Sequence, residues 1–416
     1  MSAFACSPLW GSEPSVGWNW ARELAQRHEV TVLTHDYFRA HIEPHLAHSP
    51  EPGLRFDYLA VAPRRGAFHE QLLNSQTYYL RWQAAARVRL LALLQSGGHD
   101  LVHHITWGNF RWPVPLHGLP VPLAVGPLGG GERAPAALYR GLPWRLRLKE
   151  VLRDGLIWSG AHDPWVARGL HGARWVLCRT EATIAALPAA ARARAFIAHD
   201  IGSPSPDADV DAACATGPAG SLRCLFVGRL LAWKGAHFAL RALRLLLDRG
   251  VNASLTLVGS GELEAHLRSQ AQALQLEGVI HWRHSLKRDE VLQLYREHDV
   301  FLFPSLHDSG GTVVLESLSR GCPVVCVDLG GPPHFVDETC GRVVRAADGN
   351  DRALPGRLAD ALQPLAMDVA LRQRLRAGAL RQARAHAWPQ RVAQAYLPIE
   401  LALGAAHTPG HAGLMA

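Results

Sequence analysis

The chain has 416 residues, 48% of them hydrophobic and 19% charged, with a formal net charge of +7. That length accommodates two α/β domains, each with its own core, and the composition excludes a disordered or fibrous chain. The basic balance favours anionic ligands or an anionic membrane surface. Nucleic acid is not expected, because the bases are dispersed and no nucleic-acid motif occurs, and no apolar run approaches the length of a membrane span.

The seven cysteines are odd in number and form no CxxC pair, so neither a disulfide framework nor a zinc site is expected. No signal-peptide pattern opens the chain, and a cytoplasmic location follows as the expectation. Residues 2–6 read as a short strand cut close by Ser7-Pro8, an abrupt start that weakens the first strand. Gly11, Ser12, Glu13, Pro14 and Gly17 then form a loop before a helix over residues 18–28 and a strand over 30–34. A glycine-containing loop between strand and helix suits oxyanions or sugar hydroxyls, or is a plain tight turn. Neither GxGxxG nor GxxxxGK[ST] occurs, which removes support for dehydrogenase and P-loop readings.

Residues 35–75 are rich in His, Pro and Arg and poorly periodic, with a strand over 54–61, and residues 76–95 form a long helix. The strand at residues 100–106 carries His103 and His104 at its C-terminal end, where open α/β sheets place ligands. Each is either a satisfied structural residue or a site residue that hydrogen-bonds a ligand. Another strand at 121–125 leads into Gly126 to Glu132, where three consecutive glycines mean close backbone approach or a mobile loop. Glu132 either engages a ligand hydroxyl or caps a helix. Residues 139–158 mix Arg140, Arg145, Arg147, Lys149 and Arg153 with Leu142, Trp144, Leu148 and Leu152. Such a basic amphipathic stretch is either an ordinary surface helix or a contact with an anionic membrane.

Residues 202–220 are rich in Gly, Pro, Ser, Asp and Ala and read as the linker between the first domain, 1–201, and the second, 221–385. The linker holds Asp207-Ala208-Asp209, a nominal DxD placed in low-complexity sequence rather than at a strand end, so no metal is expected. In the second domain a strand at 222–227 opens into Gly228 to Gly235 and a helix over 237–248. Arg229 and Lys234 sit beside glycines in that strand-to-helix loop, as a diphosphate clamp requires, or are two solvated bases. A strand at 255–258 ends at Gly259-Ser260-Gly261-Glu262.

The densest pattern lies at residues 300–329. An apolar run at 300–303 reads as a strand buried on both faces, Pro304 and Ser305 break it, and a helix follows over 312–320, with Gly321 where a helix end wants a positive φ. Gly310 and Gly311 let a ligand approach the backbone, and the unpaired amides of the helix N-terminus near Thr312 favour phosphate or sugar oxygens. Asp308 precedes the helix and Glu316 lies within it. They are either a cap and a solvated residue, or two carboxylates facing a ligand.

Together these motifs resemble the retaining glycosyltransferases of family 4. The Gly-Arg…Lys-Gly run carries Gly228, Arg229, Lys234 and Gly235, the next loop Gly259 and Gly261, and the Pro-Ser…acid-x7-Glu signature Pro304, Ser305, Asp308 and Glu316, with Asp where the family has Glu. Gly11, Ser12, Glu13, Pro14, Gly17 and Trp18, with Gly126 to Glu132, resemble a subgroup of that family with an N-terminal Gly-Ser-Glu-Pro loop. The resemblance implies an α/β, GT-B fold: two Rossmann-like, doubly wound domains facing a central cleft. A last helix over 386–403 would pack back on the first domain, followed by a disordered tail at 404–416. It also raises His103 as a site residue.

The implied function is transfer of a hexose-type sugar from a UDP-, GDP- or ADP-sugar to a glycan or lipid-linked acceptor, in surface polysaccharide or glycolipid assembly. Arg229, Lys234, Asp308, Glu316 and His103 would form the catalytic set. Gly228, Gly259, Gly261, Gly310, Gly311, Thr312, Gly11 and Glu13 would line the ligand, with no metal and no cofactor beyond the donor. Bases would hold the phosphates, Glu316 the ribose and Asp308 the sugar, with front-side attack and no protein nucleophile. The chain would work in the cytoplasm or peripherally on the inner face of the plasma membrane. The alternatives are a non-catalytic nucleotide-sugar binder and a nucleotide-sugar epimerase of the same fold. Glu316→Ala and Lys234→Ala are each expected to abolish transfer with little change in thermal midpoint.

Overall fold

A computed structural model describes residues 1–62, 75–204, 217–284 and 286–407. The nominal DxD of Asp207 and Asp209, part of the poorly periodic stretch, and the tail from residue 408 lie outside the described residues. The chain divides into two compact units. The first comprises Met1–Gly131, Ile157–Ile201 and Trp388–Ala416, the second Glu132–Leu156 and Gly202–Ala387. Residues 132–156 thus belong to the second unit, where the sequence reading placed them in the first. Ala134, Leu138, Leu142 and Leu146 enter the second unit's apolar core, which draws the segment there.

In the first unit the helix α1 (Glu13–Ala25) starts with Glu13 and Pro14 in its first turn, residue types suited to unpaired amides. It therefore begins before the glycine-containing loop ends, five residues earlier than the sequence pattern predicts. Then come β1 (Val30–His35), α2 (Arg39–His48), β2 (Leu54–Leu59), α3 (Gln76–Gln95), β3 (Val102–His104) and β4 (Leu123–Leu128). The strands β5 (Trp175–Cys178) and β6 (Ala195–Ile197) complete the sheet, and all described pairings are parallel. Residues 1–4 are more than a remnant. Leu33 N donates to Met1 O at 2.8 Å and Ala3 N to Leu33 O at 2.9 Å, while on the other side Ser2 N donates to His103 O at 2.7 Å and Ile105 N to Ser2 O at 3.0 Å. This segment joins β1 to β3 in one continuous sheet.

The second unit receives the first part of α4 (Trp144–His162). Its sheet runs β12–β11–β10–β7–β8–β9 and is parallel throughout. The strands are β7 (Ser221–Val227), β8 (Asn252–Val258), β9 (Ile280–Arg283), β10 (Val300–Phe303), β11 (Val324–Val327) and β12 (Gly341–Val344). Numbered from β7, the order is 3-2-1-4-5-6, the doubly wound arrangement in which chain direction across the sheet reverses between the first and fourth strands. Strands β10 and β11 are buried at every residue, which explains their unbroken apolar runs. The helices α8 (Ala236–Asp248), α10 (Arg288–Glu297) and α11 (Thr312–Ser319) follow β7, β9 and β10. The last helix, Trp388–His407, lies against α1 in the first unit and continues through Gly404, past the point where the sequence suggested its end.

Candidate functional site

Two loops leave the carboxyl ends of β7 and β10, the neighbouring strands at which the second sheet reverses. In a doubly wound sheet this is the crevice in which ligands bind. The first loop runs from Gly228 to Gly235 and contains a single tight turn, Ala232–Lys234. Gly235 has φ 75°, and a Cβ there would overlap the carbonyl oxygen of Pro304 in the second loop. Leu306 N donates to Trp233 O at 2.7 Å, so the two loops are knitted by backbone. A third loop joins them: Leu230 N donates to Ser260 O at 2.9 Å, and a Cβ at Gly259 or Gly261 would strike the backbone of Gly228 or Leu230. Gly235, Gly259 and Gly261 are thus required by backbone meeting backbone.

Lys234 lies against the faces of Trp233 and Phe303, its Nζ 4.3 Å and 4.9 Å from the ring centroids, and it forms an ion pair with Asp308. The other Asp308 oxygen, Oδ1, accepts from Gly310 N and Gly311 N, each at 3.3 Å. Burial alone would push the Asp308 carboxyl up, but the Lys234 charge and the two amides outweigh it and hold its pKa below the ordinary value. Arg229 is exposed, and no carboxylate among the described residues pairs with it. The two loops together therefore present one cation without a carboxylate partner, one held cation and a helix N-terminus. Gly311 caps α11 with φ 75°, and Thr312 follows it.

Glu316 lies one turn into α11, with its side chain 14% exposed. Burial raises its pKa, against the opposing charges of Arg288 and Arg320. Arg288 NH2 is 3.1 Å from Glu316 Oε1 and stands at the start of α10, far away in sequence, where no local pattern marks it. His307, which no local pattern marks, stacks on Trp233 at 4.6 Å and places Nε2 2.9 Å from Glu150 of α4. It fixes the loop carrying Asp308.

The residues expected in the first unit behave differently. His103 is buried: its Nε2 lies 2.8 Å from the carbonyl oxygen of Gly126, so Nε2 donates, and its Nδ1 accepts from the Tyr396 hydroxyl at 2.7 Å. Burial lowers its pKa to about 3, which keeps the ring neutral. Both nitrogens are used inside the fold, so His103 has no atom left for a substrate, and its place in the catalytic set is corrected to a core residue. His104 is likewise buried, between Tyr79 OH at 3.0 Å and Ser2 Oγ at 3.1 Å. Glu132 is buried too.

Glu13 instead links two loops of the first unit. Its Oε2 accepts from Trp107 N at 3.1 Å, and its Oε1 lies 3.2 Å from Arg179. Ser12 and Trp107 hold φ values of 57° and 58°, a strained region for residues with a side chain. Nothing lies within 4 Å of the position a Cβ on Gly11 would take, so the fold itself does not demand glycine there.

Residues 218–378 match the family Glycosyl transferases group 1. D-inositol 3-phosphate glycosyltransferase of Corynebacterium jeikeium is 36% identical over 155 residues, which is 35% of this chain and 36% of that protein. The chain thus matches about a third of that relative's length. Over 95% of its residues it superposes on 94% of the sucrose-phosphate synthase chain from Thermosynechococcus elongatus, with a TM-score of 0.61 at 18% identity. HepE of Anabaena, solved in complex with UDP and glucose, gives a TM-score of 0.56 at 15% identity, over 97% of this chain and 99% of that one. The fold is GT-B, and the residues that match the glycosyl transferases group 1 family lie in its second unit.

Proposed function

We propose that the chain is a retaining glycosyltransferase that moves a hexose-type sugar from a nucleotide-diphosphate sugar to an acceptor hydroxyl. The observation that carries this reading is that the loop with Arg229 and Lys234 and the loop leading to the α11 N-terminus leave neighbouring strand ends where the second sheet reverses, tied by the Lys234–Asp308 ion pair. When the bond between the anomeric carbon and the diphosphate breaks, negative charge grows on the leaving phosphate oxygens. Two cations and a helix N-terminus aimed at that charge lower the barrier, and one such preorganised donor is worth about 3 kcal/mol. In this reading the clamp is built of side chains and amides and needs no metal.

Glu316 holds the ribose hydroxyls, and Asp308 with the Gly310-Gly311 backbone holds the sugar. Before the donor arrives, Asp308 and Lys234 hold each other in position. A diphosphate draws Lys234 to itself and leaves Asp308 to accept from sugar hydroxyls. The acceptor oxygen then bonds to the anomeric carbon on the face the diphosphate leaves, and its proton passes to the departing phosphate oxygen. The balance closes without a protein nucleophile. The bound UDP of HepE supports UDP as the first donor to try. The acceptor, glycan or lipid-linked, belongs to the first unit, where Ser12 and Trp107 carry backbone strain beside Glu13. The pathway is surface polysaccharide or glycolipid assembly, at the inner face of an anionic membrane.

The test is transfer from UDP-, GDP- and ADP-sugars to a panel of glycan acceptors, read by mass spectrometry, with the product anomer assigned by NMR. Retained configuration is expected, with a loss of roughly a hundredfold or more in Arg229→Ala. An inverted product contradicts the mechanism. Release of a free monosaccharide without any acceptor favours the epimerase.

A further inference from the structure

The first half of α4 is turned inside out. Trp144, Leu148, Val151, Leu152 and Leu156 recur three to four positions apart and so share one face of the helix. In a surface helix that face normally meets the core; here each of the five is between 46% and 67% exposed. The opposite face holds the helix in place with Leu146 in the apolar core, Glu150 against His307, and Arg153 donating to the carbonyl of Glu132 at 2.6 Å. Glu150 and Arg153 turn inward, and the apolar stripe points to solvent. Contiguous exposed apolar surface of this kind marks an interaction site.

Lys149 of this half-helix pairs with Glu262, but two arginines beside the stripe stay unpaired among the described residues. Arg145 and Arg147 flank it, both exposed, and no carboxylate among the described residues pairs with either. The Arg145 guanidinium lies 5.6 Å from the Trp144 ring centroid. The acidic side chains of this half-helix are engaged elsewhere, Glu150 with His307 and Asp154 with Arg153. No helix among the described residues is long and apolar enough to cross a membrane.

We infer that this face of α4 docks the chain on an anionic lipid bilayer. Trp144 and the aliphatic side chains enter the zone between headgroups and acyl chains, while Arg145 and Arg147 meet lipid phosphates. A bilayer supplies anionic charge and apolar depth together, as a stripe bordered by unpaired arginines requires. The inference rests on the reading that the chain acts at a membrane, and it names the surface that does so.

The test is flotation of the full chain with vesicles of phosphatidylcholine alone and of phosphatidylcholine with phosphatidylglycerol, without donor or acceptor. Binding is expected only to the anionic vesicles and is expected to weaken with salt. Arg145→Gln and Arg147→Gln should each weaken it about fivefold. The double variant Leu148→Ser/Leu152→Ser should weaken it at least tenfold while keeping the wild-type thermal midpoint. Failure of the wild type to bind anionic vesicles, or undiminished binding by the double variant, overturns the inference. So does concentration-dependent self-association of the wild type that the double variant loses, because the face then belongs to a second copy. Transfer to a soluble acceptor is measured separately, so loss of docking is distinguishable from failure of the transferase reading.

Discussion

Lys234 and Asp308 come from two loops, and their ion pair is only 13% and 17% exposed. Removing the lysine leaves a half-buried carboxylate with two amide donors but no counter-charge. Lys234→Ala is therefore expected to destabilise the second unit by about 1–3 kcal/mol, as well as abolishing transfer. This replaces the expectation of an unchanged midpoint. Double variants of Lys234→Met with Asp308→Asn should recover part of the loss, and a coupling below about 0.5 kcal/mol in that cycle would show the pair to be incidental. The pH dependence has a definite sign. The folded pKa of Asp308 is depressed, so its contribution is fully present above the unfolded value of about 3.9 and is lost as pH falls toward the folded value. Glu316 has the opposite sign. Its folded pKa is raised by burial, so it costs stability once pH exceeds that value and costs nothing below the unfolded value of about 4.3. Glu316→Gln should then raise the midpoint at neutral pH, leave it unchanged in acid, and still impair donor binding. A variant less stable than wild type at neutral pH would contradict this assignment.

At the scale of elements, the site depends on loops that touch through backbone. Gly235 is the sharpest case, with φ 75° and a Pro304 carbonyl where its Cβ would stand. Gly235→Ala should destabilise by about 1–3 kcal/mol and separate the Lys234 loop from the Asp308 loop, raising KM for the donor more than it lowers the midpoint. Unchanged donor KM would mean that the loops are independent. Strand β10, which carries the Asp308 loop, and its neighbour β11 were readable because burial on both faces leaves an unbroken apolar run, and both fall at the residues the pattern predicts. The end of α11 was readable for a similar reason, since Gly321 takes φ 69°. Helix α4 was only half readable. Its periodicity announces a helix with an apolar stripe, but periodicity does not say which face turns inward. That is decided by Glu150 meeting His307, a contact between residues distant in sequence.

Across the whole chain, the second unit was the more legible. Its motifs follow β7, β8 and β10, three neighbouring strands, so loops separated in sequence come together at one edge of the sheet. The first unit hid two things. Residues 1–4 are too few to show a strand period, yet they bond to strands on both sides. His103 stands at a strand end in sequence but turns into the fold, toward Gly126 and Tyr396, partners that no local spacing reveals. The central claim is that the loops after β7 and β10 hold a nucleotide-diphosphate sugar. Isothermal titration of UDP-glucose, GDP-mannose and ADP-glucose into wild type and Arg229→Ala tests it most directly, because Arg229 is exposed and its removal should spare the fold. The account predicts that one nucleotide class binds the wild type and binds Arg229→Ala at least tenfold more weakly, at an unchanged midpoint. Equal affinity in both proteins, or no binding by any of the three donors, would contradict it.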